Sequence, residues 1–579
     1  MKTAPASAKP VRRAAWPAMV IALLLGALFA GWLYGWRVLD PASHAWLLYG
    51  DPAQHYLGSV YFLGEPWHWP PGAISGFGAA VTSVILTDSI PLLALPAKLL
   101  GVPAGWQYFG LWLLACHALV AAAGAALLLR LGCRPPHAVL GALFFTAAPA
   151  LLLRAYGHEA LQGQFLVVAA LALALGPWRG WPWPLLVTAA VWVHPYLAAM
   201  VVAIASAAAG AALAQRRLGW RTLAWGGAVV LLAAAGAAYL AGYFVGSGEF
   251  SAVGQGFFSA NLFTWFDPMD WAGFLAHFGR DVAQGREWSR LLPVLGQATA
   301  GQYEGFAYLG AGMLALLVVA LVTSVTRPAA LQKSTGVAPP PRWQWTFLLA
   351  ACGTLALLAV SARVTLGTRI LFEVPLGDSA QYLLGLFRGS GRFIWPLTYL
   401  LMAWAIARVA RLPGGLLWLL AGLLLQGYDL SDKFSELRDR FRHGPPGVVA
   451  APASPLWGEL LGACPRMELL LWPADDQRWI TPGLAAGRAG VPVTPVLVAR
   501  PLPEVEAQQR RALAERRAGR GWRDDTVYVS PHEAAPGASL SHPPPGFARH
   551  TVDGFDLFVP ARCPPPAALS RPSGAPPWA

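Results

Sequence analysis

Long apolar runs broken by brief polar punctuation dominate the first three-quarters of the chain. Ala14 to Trp36 is an uncharged run of 23 residues, enough to cross a hydrocarbon core that takes about 20. Further apolar stretches lie near 105–129, 138–153, 160–177, 181–194, 196–214, 222–246, 305–326, 344–362, 393–410 and 414–429. Together they predict about eleven transmembrane helices. From about 431 the pattern changes. No spanning run remains, prolines are frequent, and Met467–Trp472, Val493–Val498, Thr526–Val529 and Phe555–Val559 read as short strands, with Pro503–Arg517 as a helix. Pro495 restricts the second strand to a sheet edge. The expected fold is a polytopic α-helical membrane protein: a membrane part over 1–430 with long outer loops 37–104 and 247–304, an outer α/β domain over 431–563, and a disordered Pro-rich tail over 564–579.

Composition agrees with the bilayer. Of 579 residues 56% are hydrophobic and 12% charged, against about 25% charged in a soluble domain. The net charge of +13 (42 basic minus 29 acidic) raises nucleic acid as a partner, but the charges track topology instead. Lys2, Lys9, Arg12 and Arg13 precede the first run, which is too long for a cleaved signal and reads as a signal anchor with a cytosolic N-terminus. Alternation then puts Arg130/Arg134, Arg179, Arg216/Arg217/Arg221, Arg327/Lys333/Arg342 and Arg408/Arg411 inside, as the positive-inside rule requires. Every acid before 431 falls on the outer side or its boundary, and the C-terminus lies outside. The expected location is a bacterial inner membrane with the C-terminal domain in the periplasm, where Cys464 and Cys563 could form a disulfide. No CxxC spacing and no GxxxxGK[ST] sequence occurs, so an ATP-driven engine is not visible.

Polar residues of chemical interest gather in the outer loops. The first carries Gly50-Asp51-Pro52-Ala53-Gln54-His55-Tyr56, Trp67-His68-Trp69-Pro70 and Thr87-Asp88-Ser89-Ile90-Pro91. Asp51 before Pro52 suits a helix start, either as a simple cap or as a carboxylate held ready for base or metal-ligand duty. Asp88 is a second capping candidate, and two carboxylates in one cleft could hold a divalent cation. Elsewhere stand Arg154 and His158 in one outer turn, His194 in the next, Glu304 heading a span, and Phe387-Arg388-Gly389-Ser390-Gly391-Arg392-Phe393. Glu304 is costly there unless paired or wet. Arg388 and Arg392, four apart, would share a helix face and suit phosphate oxygens, or would simply snorkel to lipid head groups; Lys98 and Arg154 could add positive charge.

These motifs, the signal-anchor first span and the acidic amphipathic first loop resemble the GT-C class of membrane glycosyltransferases, in an uncharacterised bacterial branch, over roughly 1–430. The resemblance implies a polyprenyl-phosphate-sugar donor and a glycan, lipid or protein acceptor in the cell envelope. It also implies Asp51 as catalytic base or metal ligand, with Asp88 as any second acid, and a leaving phosphate met by Arg388 and Arg392. Gln54, His55, Lys98, Arg154, His158, His194 and Glu304 join them as substrate-binding candidates. A transporter or lipid flippase is the competing class, favoured by internal repeats or broken helices, neither of which is clear in the sequence; His117 within a span is its main polar candidate. A non-catalytic envelope scaffold is the third, in which Asp51 and Arg392 are replaceable.

Overall fold

The computed structural model describes residues 8–246, 254, 256–277, 285–326, 340–445, 447–462, 464–498, 502–532 and 544–563. The tail expected to be disordered, 564–579, lies outside them. The chain folds as two compact units. One comprises Met1–Leu39, Phe109–Ala237 and Ser251–Pro446; the other comprises Asp40–Tyr108, Ala238–Phe250 and Gly447–Ala579. The long first loop thus belongs to the same unit as the C-terminal segment.

In the first unit, helices form at each apolar stretch, but their lengths differ. Ala15–Tyr34, Phe109–Arg130, Pro195–Ala214, Trp220–Ala241 and Arg342–Val360 are long and apolar enough to cross a membrane. Pro135–Thr146 and Pro149–Tyr156 make a sixth if the pair, bent by 43°, counts as one span. Glu159–Ala174, Pro182–Val193, Ala311–Thr326 and Gly415–Asp429 are shorter, as is Trp395–Val409. The molecule is therefore a membrane-associated helical protein, with five to six candidate spans among the described residues. Proline accounts for much of the shortening. It has no N–H to donate, so it tends to open a helix and not to continue one, and Pro135, Pro149, Pro182 and Pro195 each stand in a first turn. The 43° bend before Pro149 marks a broken span or a re-entrant loop, which the hydropathy pattern did not reveal.

Small residues let these helices close on one another, as apolar surroundings favour. A Cβ on Gly26 would come within 2.5 Å of the His117 carbonyl oxygen, beside a cluster of Ala22, Ala121, Ala125 and Ala142. His117 itself is fully buried and its Nε2 lies 2.8 Å from the Tyr34 hydroxyl.

The second unit is built on a five-stranded sheet. Across it run Val493–Thr494, Arg466–Leu469, Thr526–Pro531, Phe555–Pro560 and Phe547–Val552; the first three are parallel and the last two antiparallel to their neighbours. The helices Ile480–Ala489 and Pro503–Arg517 lie in the crossovers between the parallel strands. Pro495 limits its strand to two residues at the edge, as its missing N–H requires. That edge is covered from the first loop: Gly78 N–H donates to Val493 O at 3.0 Å and Val493 N–H to Gly76 O at 3.0 Å. The Gly50–Gly64 helix adds a second tie, Tyr61 donating its hydroxyl to Val491 O at 3.1 Å.

Cys464 and Cys563 are joined, closing a sequence separation of 99 residues around the sheet. Crosslinks of that reach contribute about 2–5 kcal/mol in small outer domains. Cys464→Ser with Cys563→Ser should lower the unfolding free energy of this unit by about that amount, read as an earlier midpoint in a denaturant titration with a protease-resistance assay; an unchanged midpoint contradicts it.

Candidate functional site

In the unit that holds the first loop, the reactive groups are set by one close approach. The Gly50–Gly64 helix begins one residue earlier than Asp51, with Tyr49 at its N-cap, and Gly50 turns the chain into it at φ +46°, a left-handed backbone that glycine takes without strain. Asp51 is therefore not the cap. It sits in the first turn, where the helix dipole favours a carboxylate. It is half-buried, whereas Gln54 and His55 behind it are buried. A Cβ on Gly58 would strike Thr87 and Ser89, at 2.5 and 2.7 Å, so the absent side chain lets the Thr87–Ser89 turn lie on the helix. Ser89 Oγ donates to His55 O at 2.7 Å and Thr87 Oγ1 shares a hydrogen with Ser89 Oγ at 2.8 Å. The turn carries Asp88 at φ +53°, and its carboxylate lies 3.7 Å from His55 Nε2. Asp51 and His55, four apart on the helix, share one face. Gln54 Nε2 is buried without a hydrogen-bond partner in the structure.

Lys98 does not offer free charge. Its ammonium donates to Pro66 O at 3.1 Å and lies over Phe62 and Trp67 at 4.2 and 4.9 Å. Burial pulls its pKa down to about 8, against the opposing pull of Glu65.

In the helical unit, Arg154, Glu304 and Arg392 form a buried triad. Arg154 Nη1 donates to Glu304 Oε2 at 2.9 Å, Arg392 Nε donates to the same oxygen at 2.8 Å, and Arg392 Nη2 donates to Oε1. Two short turns make this geometry. Ala300–Gly305 and Ser390–Ile394 meet where Gly391 faces Gly305, and a Cβ there would come within 2.6 Å of the opposing backbone. Burial pushes the Glu304 carboxyl up, but Arg392 and then Arg154 pull harder and hold it well below the usual carboxylate range. Burial lowers Arg392 in turn, and Glu304 overcomes it and raises its value.

Arg388 and Arg392 part company, since the segment between them is not one α-helix. Arg388 is exposed and stands over Phe258 at 5.8 Å, whereas Arg392 is buried against Tyr196 at 4.6 Å. Tyr196 is itself fixed: its hydroxyl accepts from Gly389 N–H at 2.7 Å and its N–H donates to His194 Nδ1 at 3.2 Å. His158 sits at φ +63° before the Glu159–Gln162 turn and contributes favourable charge to Glu304.

A family model described as a domain of unknown function, DUF6311, matches residues 23–431, and the DUF6311 C-terminal domain matches 456–560. The chain belongs to the DUF6311 family. No curated protein and no solved structure matches it. The DUF6311 match ends just past the Gly415–Asp429 helix, whereas the compact units divide elsewhere, because the first loop folds with the C-terminal segment.

One polar cluster in the DUF6311 helical unit escaped sequence reading. Lys433, fully buried, pairs with Glu436 at 2.8 Å and lies among Tyr156, Trp271 and Trp288 at 5.5, 4.3 and 4.9 Å. The only local sign was a Lys and Glu three apart just after the last apolar stretch. Burial draws the ammonium pKa down to about 8 despite Glu436.

Two outcomes follow from these clusters. Glu304→Gln leaves two buried guanidiniums without their counter-charge, which costs about 3–5 kcal/mol. The folded fraction in detergent should fall accordingly, and a Glu304→Gln/Arg392→Gln pair should recover part of the loss. For Lys433, the unfolded chain binds more protons than the folded one between about pH 8 and the unperturbed value of 10.5, so stability should rise with pH across that window. Lys433→Met should flatten the rise, as a melting series at several pH values will show.

Proposed function

We propose that this chain is an inverting glycosyltransferase of the GT-C kind. It moves a sugar from a polyprenyl-phosphate donor to a glycan, lipid or protein acceptor on the outer face of a bacterial inner membrane. The observation that supports it most is the His55–Asp88 pair in the first loop, with Asp51 in the first turn of the same helix as His55, in a chain rich in apolar helices. A half-exposed carboxylate on a rigid helix is suited to general-base work, and the His55–Asp88 pair beside it supplies a polar wall. The buried, unsatisfied Gln54 amide offers a donor to a sugar hydroxyl.

In the reaction, Asp51 takes the proton of an acceptor hydroxyl as that oxygen bonds to the anomeric carbon. The bond from that carbon to the phosphate oxygen breaks, and its electron pair leaves with the lipid phosphate. In the helical unit Arg392 is engaged with Glu304 and Arg388 is exposed, so Arg388 is the guanidinium of that pair open to an anion. His55 and Asp88 are the groups that suit a divalent cation, as a mixed nitrogen and oxygen donor set, and such an ion would supply Lewis-acid polarisation. The disulfide agrees with an oxidising compartment for the C-terminal segment.

A transporter or lipid flippase is the second reading, favoured by the 43° break before Pro149 and the buried charges that follow it. The two readings separate in proteoliposomes. Asp51→Asn should reduce sugar transfer by about 10²–10⁴-fold with the protein still folded. Undiminished transfer by the purified variant rejects Asp51 as base. Substrate crossing the bilayer without transfer supports the second reading.

A further inference from the structure

The second unit holds a cleft of about 200 Å³ that the catalytic reading does not use. Its position follows from the sheet. Trp472–Ala474 follow the Arg466–Leu469 strand, Val496–Val498 follow Val493–Thr494, and the Pro503–Arg517 helix leads on toward the third parallel strand. The cleft therefore lies outside the carboxyl ends of parallel strands, the place where open α/β sheets bind ligands. The first loop closes its remaining side with Phe77–Thr82.

Its lining selects a chemical class. Most of the wall is aliphatic, including Val81, Val496, Val498, Leu502 and Val505. One rim is aromatic and polar. Arg510 lies over Trp472 at 4.1 Å and donates to Glu506 at 3.0 Å, and Gln509 stands beside them, held by Thr494 at 2.8 Å. Anions are disfavoured, because Glu504 and Glu506 occupy the first turn of the helix, Pro503 removes one N–H there, and Glu506 neutralises Arg510. An all-hydrocarbon chain would leave unused the hydrogen-bonding positions of the rim that the Arg510–Glu506 and Gln509–Thr494 pairs do not take up. A ligand with an apolar face and several hydroxyls satisfies both surfaces.

We propose that this cleft binds neutral carbohydrate, taking one sugar unit of a glycan. The inference does not need the transferase reading; if that reading holds, the cleft grips the acceptor at a distance from the chemistry.

The test uses the full-length protein in a zwitterionic detergent without a sugar head group. Saturation-transfer NMR is run with the methyl glycosides of glucose, galactose, mannose and N-acetylglucosamine. At least one should show saturable binding, weakened by about tenfold or more in Gln509→Ala and in Val498→Trp, which fills the cleft. Asp51→Asn should bind as the wild type does, so loss of transfer and loss of binding remain separable. Disulfide formation and protease resistance report whether each variant is folded. No saturable signal from any glycoside overturns the proposal. So does binding that Val498→Trp leaves intact, or a preference for glucose 6-phosphate or for farnesol over the neutral sugars.

Discussion

The chemistry of the first loop rests on a contact that only glycine permits. Gly58 brings the Gly50–Gly64 helix against the Thr87–Ser89 turn, and the hydroxyls of that turn bond to the helix backbone and to each other. With the backbone fixed, Asp88 is presented to His55, although its φ is positive and unfavourable for a side chain. The strain is small beside the several bonds that enforce it, and such over-determined positions are a common feature of sites that must hold a charge in one place. Asp51 benefits from the same rigidity, one helical turn away.

The helical unit meets a different constraint. Two guanidiniums and one carboxylate share a nearly dry space, which would be prohibitive for any of them alone. Glu304 solves this by accepting from both arginines, and the glycine pair Gly305/Gly391 allows the two turns to approach closely enough. The result carries one net positive charge in the interior. Trp395 and Tyr196 cover Arg154 and Arg392 with their ring faces, a less costly surrounding for a cation than hydrocarbon. Lys433 uses the same device with three rings. A recurrent pattern of cations held by aromatic faces explains how a chain with so many Trp, Tyr and Phe residues can bury basic groups.

Hydropathy located the helices of the long apolar stretches, because an apolar run leaves a continuous signal, but not the breaks that leave five to six of them, among the described residues, long enough to cross. The Pro503–Arg517 helix matches residue for residue, since Pro opens it and good helix formers fill it. Strand starts at Val493, Thr526 and Phe555 were legible for the same local reason. Phe547–Val552 was not, because Arg549, His550 and Thr551 interrupt its alternation on a mostly exposed strand. The partners of Glu304 were illegible in principle: Arg154 and Arg392 lie 150 and 88 positions away, and only the folded chain brings them together. The separation of Arg388 from Arg392 was hidden too, as the glycines between them allow either a helix or a tight turn.

The grouping of the first loop with the C-terminal segment changes what that segment is for. A pendant domain would carry its own closed sheet, yet here the edge strand at Val493 is completed by Gly76 and Gly78 from more than four hundred positions earlier. Tyr61, on the helix that carries Asp51, shares its hydroxyl hydrogen between the backbone carbonyls of Gly483 and Val491, and Gly487 leaves room for its ring. An exposed sheet edge is a liability that proteins cover when they can, and the first loop covers this one while gaining a rigid support in return. The support extends to the start of the helix, where Gly50 N–H donates to Gln477 at 3.1 Å, next to Asp51. The C-terminal segment is thus part of the frame that orients the first-loop carboxylates, and its own cleft is walled by the same loop.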